Sequence, residues 1–278
     1  MLTIQQDHTI VLETGGSRWV YAVVFHPDGK HLLGGGGDGL RQWRLADGQE
    51  VSKQTGMELR AISVSRDGKW VVCGTDKASV WDAELHEEVV IVEGRNRVCA
   101  VDVSSDSTRF ATGTDNNEAS IWDIATGERP IGPLKHGNDV TGIRFSPDGE
   151  HIATFCYCGS VRIFDSRNGS QLIDIDTIAR SLWGITPLTW SNDAQRIFTA
   201  SQDNKTKCFA VSTGLQLAAS LIFNVSYSIS LAGSNKFIAS VAKDAISFLD
   251  TSTLVKVGTA IEGEATAISL NSNRIATG

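Results

Sequence analysis

One recurring unit accounts for most of this 278-residue chain. It consists of an alternating apolar strand, a polar turn, a second strand rich in small residues, another turn, and a third strand closed by an aromatic or apolar residue. The clearest copies read VYAVVFHPDGKHLLGGGGDGLRQWRLADG (20–48), LRAISVSRDGKWVVCGTDKASVWDAE (59–84), VCAVDVSSDSTRFATGTDNNEASIWDIATG (98–127) and VTGIRFSPDGEHIATFCYCGSVRIFDSRNG (140–169). Weaker copies occupy 185–214 and 226–250, and ATAISLNSNRIATG (265–278) opens a seventh. The closing residues are Trp43, Trp81, Trp122, Phe164, Phe209 and Leu249, in steps of 38, 41, 42, 45 and 40 residues. In the first strand Tyr21, Val23 and Phe25 take one face and Val20, Ala22 and Val24 the other, because successive side chains alternate. Both faces are apolar, so a unit cannot bury itself alone and must be covered on both sides by its neighbours.

Sheets of this period that stack radially around an axis bury both faces and leave short, protected edges. The expected fold is therefore all-β: a seven-bladed β-propeller of four-stranded antiparallel blades. The chain reads as one propeller domain over 1–278, with units at about 18–50, 57–88, 96–128, 138–170, 183–215, 224–252 and 264–278. Pro27-Asp28-Gly29 and Pro147-Asp148-Gly149 suit the first hairpin turns. Val80-Trp81-Asp82, Ile121-Trp122-Asp123, Phe164-Asp165 and the Phe-Ser-Pro-Asp-Gly run at Phe145 to Gly149 resemble the WD-repeat family over nearly the whole chain. The resemblance implies closure of the ring by an N-terminal strand, for which residues 9–13 fit. Arg274 to Gly278 matches only a second strand, so the last blade is expected to be incomplete. Either the N-terminal strand closes against that second strand, or another copy or a missing continuation of the chain fills the gap. The family's Gly-His dipeptide is missing, His136-Gly137 standing in reversed order. The blades are therefore expected to be held mainly by packing.

The formal net charge of −7 and the absence of a Lys/Arg run argue against nucleic acid as a partner. No stretch approaches eighteen consecutive apolar residues, so no transmembrane helix is expected. Five cysteines in odd number and an N-terminus without a signal-peptide pattern point to an intracellular setting, cytoplasmic or nuclear. The sequons at Asn168, Asn204 and Asn224 are then coincidental.

The residues carry little chemistry. Gly34 to Gly39 lacks the Gly-Lys-Ser/Thr of a phosphate loop and reads as a small-residue strand entering a hairpin. Cys156-Tyr157-Cys158 reads as a pair of buried structural thiols on one strand face. The six histidines, in no metal-ligand spacing, read as turn or surface residues. No metal, cofactor or catalytic constellation is expected, and the chain is read as a non-catalytic scaffold that binds a protein or peptide, either alone or as a module of a larger protein.

The resemblance implies a binding face where the first-strand entries and the second-to-third strand hairpins converge around the axis. Aligning the units places Trp19, Glu58, Arg97, Asp139 and Glu264 at one position of that face, and Tyr21, Arg60 and Tyr227 two residues further along. Trp, Tyr and Arg often anchor interfaces because they combine large contact area with a polar tip or a rigid fork. Trp190, aligned with Phe25 and Phe145, is expected in the core. Two other classes stay open: an enzyme with an axial cluster of carboxylates, for which Glu58, Asp139 and Glu264 would qualify, and a ligand- or glycan-binding propeller with one pocket per blade. The differing residues from unit to unit favour one asymmetric partner.

Overall fold

The computed structural model describes residues 20–92, 96–177, 188–201, 205–221, 231–233, 237–242, 245–258, 261–262, 268–271 and 274–277. Among them the chain is all-β. The first sheet holds β1 (Val20–Phe25), β2 (His31–Gly36), β3 (Gly39–Arg44) and β4 (Glu50–Gln54). The second holds β5 (Ala61–Val64), β6 (Trp70–Gly74), β7 (Ala78–Asp82) and β8 (Glu87–Val92); the third holds β9 (Val98–Val103), β10 (Arg109–Thr114), β11 (Glu118–Asp123) and β12 (Ile131–Lys135). The fourth comprises β13 (Val140–Phe145), β14 (His151–Cys156), β15 (Ser160–Asp165) and β16 (Gln171–Asp176), and the fifth β17 (Leu188–Trp190), β18 (Arg196–Ser201), β19 (Lys205–Ala210) and β20 (Gln216–Leu221). The sixth has β21 (Leu231–Gly233), β22 (Phe237–Ala242), β23 (Ala245–Asp250) and β24 (Ile261–Glu262). The last described sheet pairs β25 (Ile268–Asn271) with β26 (Arg274–Thr277). In each four-stranded sheet the strands lie in chain order and pair antiparallel. Residues 9–13, expected as the closing strand, lie outside the described residues.

The repeated units supply the first three strands of each four-stranded sheet. The fourth strand falls in the segment between units, where it carries an alternating pattern and little repetition: β8 is EEVVIV, with exposed and half-buried positions in turn until Val92. Outer strands face solvent on one side, so they need only period-two patterning.

The first strands lie side by side in a cycle: β1 contacts β5, β5 contacts β9, and so on through β13, β17, β21 and β25, which returns to β1. The core is layered between consecutive sheets. Ala100, Ala111, Ala119, Ile121 and Ile131 of the third sheet pack with Val140, Ile143, Phe145, Ile152 and Phe164 of the fourth. Ala153, Phe155 and Ile163 of the fourth pack with Leu188, Trp190, Ile197 and Phe209 of the fifth. Trp190 is thus a core residue, its indole N–H donating to the Arg144 carbonyl at 3.1 Å. Small residues of the second strands meet the next sheet's first strand directly. A Cβ on Gly113 would stand 2.7 Å from the Val140 carbonyl oxygen, which explains glycine there. Gly34 and Gly35 lie on β2, paired with Val23 and Ala22, as a strand leading into a hairpin.

Polar groups also cross between sheets. Asp102 on β9 accepts from Ser63 Oγ of the second sheet at 3.2 Å and from the Phe145 N–H of the fourth at 2.8 Å. Its burial pushes its carboxyl above the usual range despite the Arg144 guanidinium nearby. The expectation of blades held mainly by packing needs amending at four places. His136 is buried rather than at a surface or turn: its Nδ1–H donates to the Leu134 carbonyl at 2.9 Å, leaving Nε2 to accept from the Thr154 hydroxyl at 2.8 Å. Trp122 Nε1–H donates to Thr112 Oγ1 and Trp81 Nε1–H to Ser79 Oγ, both at 2.9 Å. In the first sheet the buried Arg41 pairs with Asp38 and Glu50, so the hairpin Asp38 has an arginine partner in place of a histidine.

Candidate functional site

Each first strand runs from one rim of the molecule to the other; we call its starting end the leading rim and its far end the trailing rim. Alternation sets what the leading rim displays. Leu59, Val98 and Val140 are buried, which leaves their neighbours at the surface: Glu58 and Arg97 exposed, Arg60, Cys99 and Asp139 half-buried. Tyr21, the second residue of β1, is also exposed. Backbone bonds fix the register: Arg60 N–H donates to the Gly74 carbonyl and Leu59 N–H to the Gly36 carbonyl, both at 2.9 Å.

Hairpins between second and third strands fold onto the same rim. Arg97 N–H donates to Asp115 Oδ1 at 3.0 Å, and the Asp115 N–H donates back to the Arg97 carbonyl at 3.1 Å. Tyr157 N–H donates to the Asp139 carbonyl at 2.8 Å. Arg60 Nη2 donates to Glu58 Oε1 at 2.7 Å, a surface ion pair of small energetic weight that leaves the guanidinium able to exchange partners.

Cys99, half-buried on β9, lies within electrostatic reach of these charges. Burial raises its thiol pKa to about 11; Asp115 and Asp139 add to the rise, while Arg60 and Arg97 oppose it. Four charged side chains from the second, third and fourth sheets therefore act on one atom, which gathers three of the sequence-predicted residues, Arg60, Arg97 and Asp139, around it. A thiol held this high is protonated at neutral pH and is a poor nucleophile. Trp19, Tyr227 and Glu264, assigned to the same rim from the sequence, lie outside the described residues. Asp115 and Tyr157 were not among the sequence-derived candidates, because they reach the rim from hairpins whose sequences differ from unit to unit.

The Cys156-Tyr157-Cys158 segment departs from its expected reading. β14 ends at Cys156, and Tyr157 to Gly159 form the turn, so the two sulfurs do not share a strand face. Cys156 is buried, Cys158 is exposed, and the two are joined as a disulfide. Among the described residues Cys73, Cys99 and Cys208 are free.

The trailing rim is repetitive. Ser65, Ser104, Ser146 and Ser191 each donate through Oγ to the aspartate two residues on, Asp67, Asp106, Asp148 and Asp193. Each serine Oγ accepts an N–H from the opening residue of the second strand, Trp70, Arg109, His151 or Arg196, at 2.8–2.9 Å. The aspartates closing the third strands cap the next turns: Asp82 accepts from Glu84 and Leu85 N–H, Asp165 from Arg167 and Asn168 N–H. These acids serve the backbone. Also at this rim, His26, Asp28 and His31 form the one group of potential metal ligands among the described residues.

Comparison with known proteins agrees with this architecture. The sequence matches the family described as WD domain, G-beta repeat at residues 7–43 and 87–123, and the Anaphase-promoting complex subunit 4 WD40 domain at 116–193. Relatives include WD repeat-containing protein 1 of Bos taurus, 26% identical over 205 residues, covering 69% of this chain and 34% of that protein. The guanine nucleotide-binding protein subunit beta of Zea mays is 24% identical over 250 residues, covering 81% of this chain and 63% of that protein. Transcription initiation factor TFIID subunit 5 of Caenorhabditis elegans is 25% identical over 170 residues, 59% of this chain and 26% of that protein. The chain thus spans between about a quarter and two thirds of the length of these relatives. No helix among the described residues is long and apolar enough to cross a membrane. With its antiparallel sheets, the Trp-Asp endings of its third strands and these matches, the chain belongs to the WD-repeat family.

Proposed function

We propose that this protein is a non-catalytic interaction scaffold whose leading rim binds one protein or peptide partner of mixed charge. The observation that carries the reading is the group around Cys99. Arg60, Arg97, Asp115 and Asp139 present both signs of charge from three consecutive sheets, and no two sheets present the same set. A repeated ligand would select a repeated pocket, whereas an asymmetric partner selects a rim that differs from sheet to sheet. Arginine beside carboxylates supplies directional contacts and orientation more than raw affinity. The names of three matched proteins, each a subunit of a larger assembly, fit such a role.

In the same proposal the propeller has seven blades in a single domain over 1–278. Residues 9–13 complete the last blade within the same chain; completion by a second copy is the competing arrangement. Trp19, Tyr21, Glu58, Tyr227 and Glu264 join the binding face by register, and the protein works inside the cell, alone or as a module of a larger chain. No nucleic acid, cofactor or membrane enters the role.

The test is quantitative affinity capture from the source cell with the unaltered chain, an Arg60→Glu/Arg97→Glu double variant and an Arg167→Glu control. Arg167 lies at the trailing rim and is largely exposed. The proposal expects specific partners lost with the double variant and retained with the control. Equal capture by all three overturns it.

A further inference from the structure

The turn that follows β1 is built differently from its counterparts in the next four sheets. Those four place serine two residues before the turn aspartate, and its hydroxyl bridges the carboxylate and the second strand. In the first sheet that position is His26, the aspartate is Asp28, and the residue opening the second strand is His31. The backbone part of the turn is kept: Asp28 Oδ1 accepts from Lys30 N–H at 2.7 Å and from His31 N–H at 3.1 Å. Its second oxygen is thereby free to face the two imidazoles. Oδ2 stands 2.6 Å from His31 Nδ1 and 3.1 Å from His26 Nδ1.

The protonation of His26 follows from its neighbours. Its Nε2 lies 2.9 Å from the Gly68 carbonyl, which can only accept, so Nε2 carries the hydrogen. The Asp28 N–H points at Nδ1 from 3.3 Å, so Nδ1 presents a lone pair. In the neutral ring, that lone pair and a carboxylate oxygen face each other with no hydrogen between them, an arrangement that a cation relieves. An imidazole that gives one N–H to a backbone carbonyl and turns its other nitrogen toward a carboxylate is oriented as metal-binding histidines are.

We propose that His26 Nδ1, His31 Nδ1 and Asp28 Oδ2 bind a divalent transition metal of the zinc class at the trailing rim of the first sheet. Two imidazoles and one carboxylate suit Zn²⁺ and its neighbours and not Mg²⁺ or Ca²⁺, which take oxygen ligands. Zn–N and Zn–O bonds of about 2.0–2.2 Å in tetrahedral geometry separate ligand atoms by roughly 3.3 Å. The two carboxylate–imidazole separations, 2.6 and 3.1 Å, need to widen by well under 1 Å, and the histidine nitrogens, within 4.8 Å of one another, must come to a similar spacing by side-chain rotation. The side chains of His26, Asp28 and His31 are 15%, 31% and 26% exposed, so the ion has access from solvent and a fourth position is left for water. Binding at His31 Nδ1 requires the neutral ring to carry its hydrogen on Nε2, so a hydrogen shared between Nδ1 and Asp28 moves to Nε2 as the ion enters. Through the Gly68 carbonyl, the ion ties the first sheet's turn to the second sheet's.

The test is titration of the metal-stripped full chain with Zn²⁺ by calorimetry, alongside His31→Ala, Asp28→Asn and a His86→Ala control, each checked for a native melting transition. Asp28→Asn keeps an oxygen for the turn amides, so it removes the ligand while leaving the fold intact. The proposal expects one tight equivalent in the unaltered chain and in His86→Ala, at least tenfold weakening in both site variants, and a zinc-dependent rise in melting temperature that they lose. No saturable binding, or affinity unchanged in His31→Ala and Asp28→Asn, overturns it.

Discussion

The two rims of this propeller are made from opposite ends of the same strands and follow opposite rules. At the trailing rim, four sheets repeat one device, a serine hydroxyl and an aspartate that satisfy the N–H groups of a turn. At the leading rim the corresponding positions hold Glu58, Arg97 and Asp139, with Arg60, Cys99 and Thr141 two residues on. Repetition marks what every blade needs in order to fold. Its absence marks positions released from that need: Glu58 and Arg97 are exposed, Arg60, Cys99 and Asp139 half-buried and Thr141 buried. In the proposed reading, turn chemistry supplies stability and the leading rim supplies specificity.

If this division is right, substitutions sort by effect. The largest loss of stability is expected where sheets touch. Gly113→Val, which would drive a side chain against the Val140 carbonyl, should cost about 3 kcal/mol in chemical denaturation. A neutral result would mean that the third and fourth sheets yield to each other easily. Next comes the trailing turn. Asp148→Ala removes the acceptor for Glu150 N–H and Ser146 Oγ and should cost about 1–2 kcal/mol while leaving partner capture unchanged.

Acid sharpens the same contrast. Turn hydrogen bonds hold Asp67, Asp106, Asp148 and Asp193 below the usual carboxylate range, even against burial, and Asp250 at about 2. A carboxylate whose folded pKa is depressed stabilises the fold above its unfolded pKa, and that stability is lost as pH falls through the folded value. Burial lowers His136 from 6.5 to about 4, so it stabilises the fold above 6.5 and that contribution fades between 6.5 and 4. Asp102, raised by burial, acts in the other direction, its contribution declining as pH rises above the ordinary carboxylate range. Melting temperature should therefore fall gently from pH 6.5 to 4 and more steeply below 4. His136→Gln should flatten the first part of the profile, and a profile that stays steep there would exclude His136 as its source.

The smallest effect is a gain. Ala194 holds the left-handed turn position at φ 56° that glycine holds in three of the other sheets, at Gly29, Gly68 and Gly149. Ala194→Gly relieves that strain and should add about 0.5–1 kcal/mol.

The same division explains what could be read in advance. The period of the closing residues and the two-faced first strands were enough to place the first three strands of each four-stranded sheet. Trp43, Phe164, Phe209 and Leu249 are all buried where their spacing put them. The fourth strands were harder to see because a half-exposed edge tolerates many sequences. His136 was misread as a surface or turn residue because its dipeptide order differs from the family's, although the ring reaches Thr154 in the neighbouring sheet. Of the leading-rim positions, Tyr21, Glu58, Arg60, Arg97 and Asp139 stand at the first-strand entries where register put them; hairpins were expected on that face, but which of their residues, Asp115 and Tyr157, meet the entries was not legible, because the hairpin sequences differ from unit to unit. The His-x-Asp-x-x-His spacing at His26 was visible, yet it looked like an ordinary turn until the serine of its counterparts provided the contrast.

The most direct test of the division measures melting temperature and partner capture side by side for Arg60→Glu/Arg97→Glu and for Asp148→Ala. The account predicts that the first variant keeps its melting temperature and loses the partner, while the second loses melting temperature and keeps the partner. A leading-rim variant that unfolds early yet still captures its partner would contradict it.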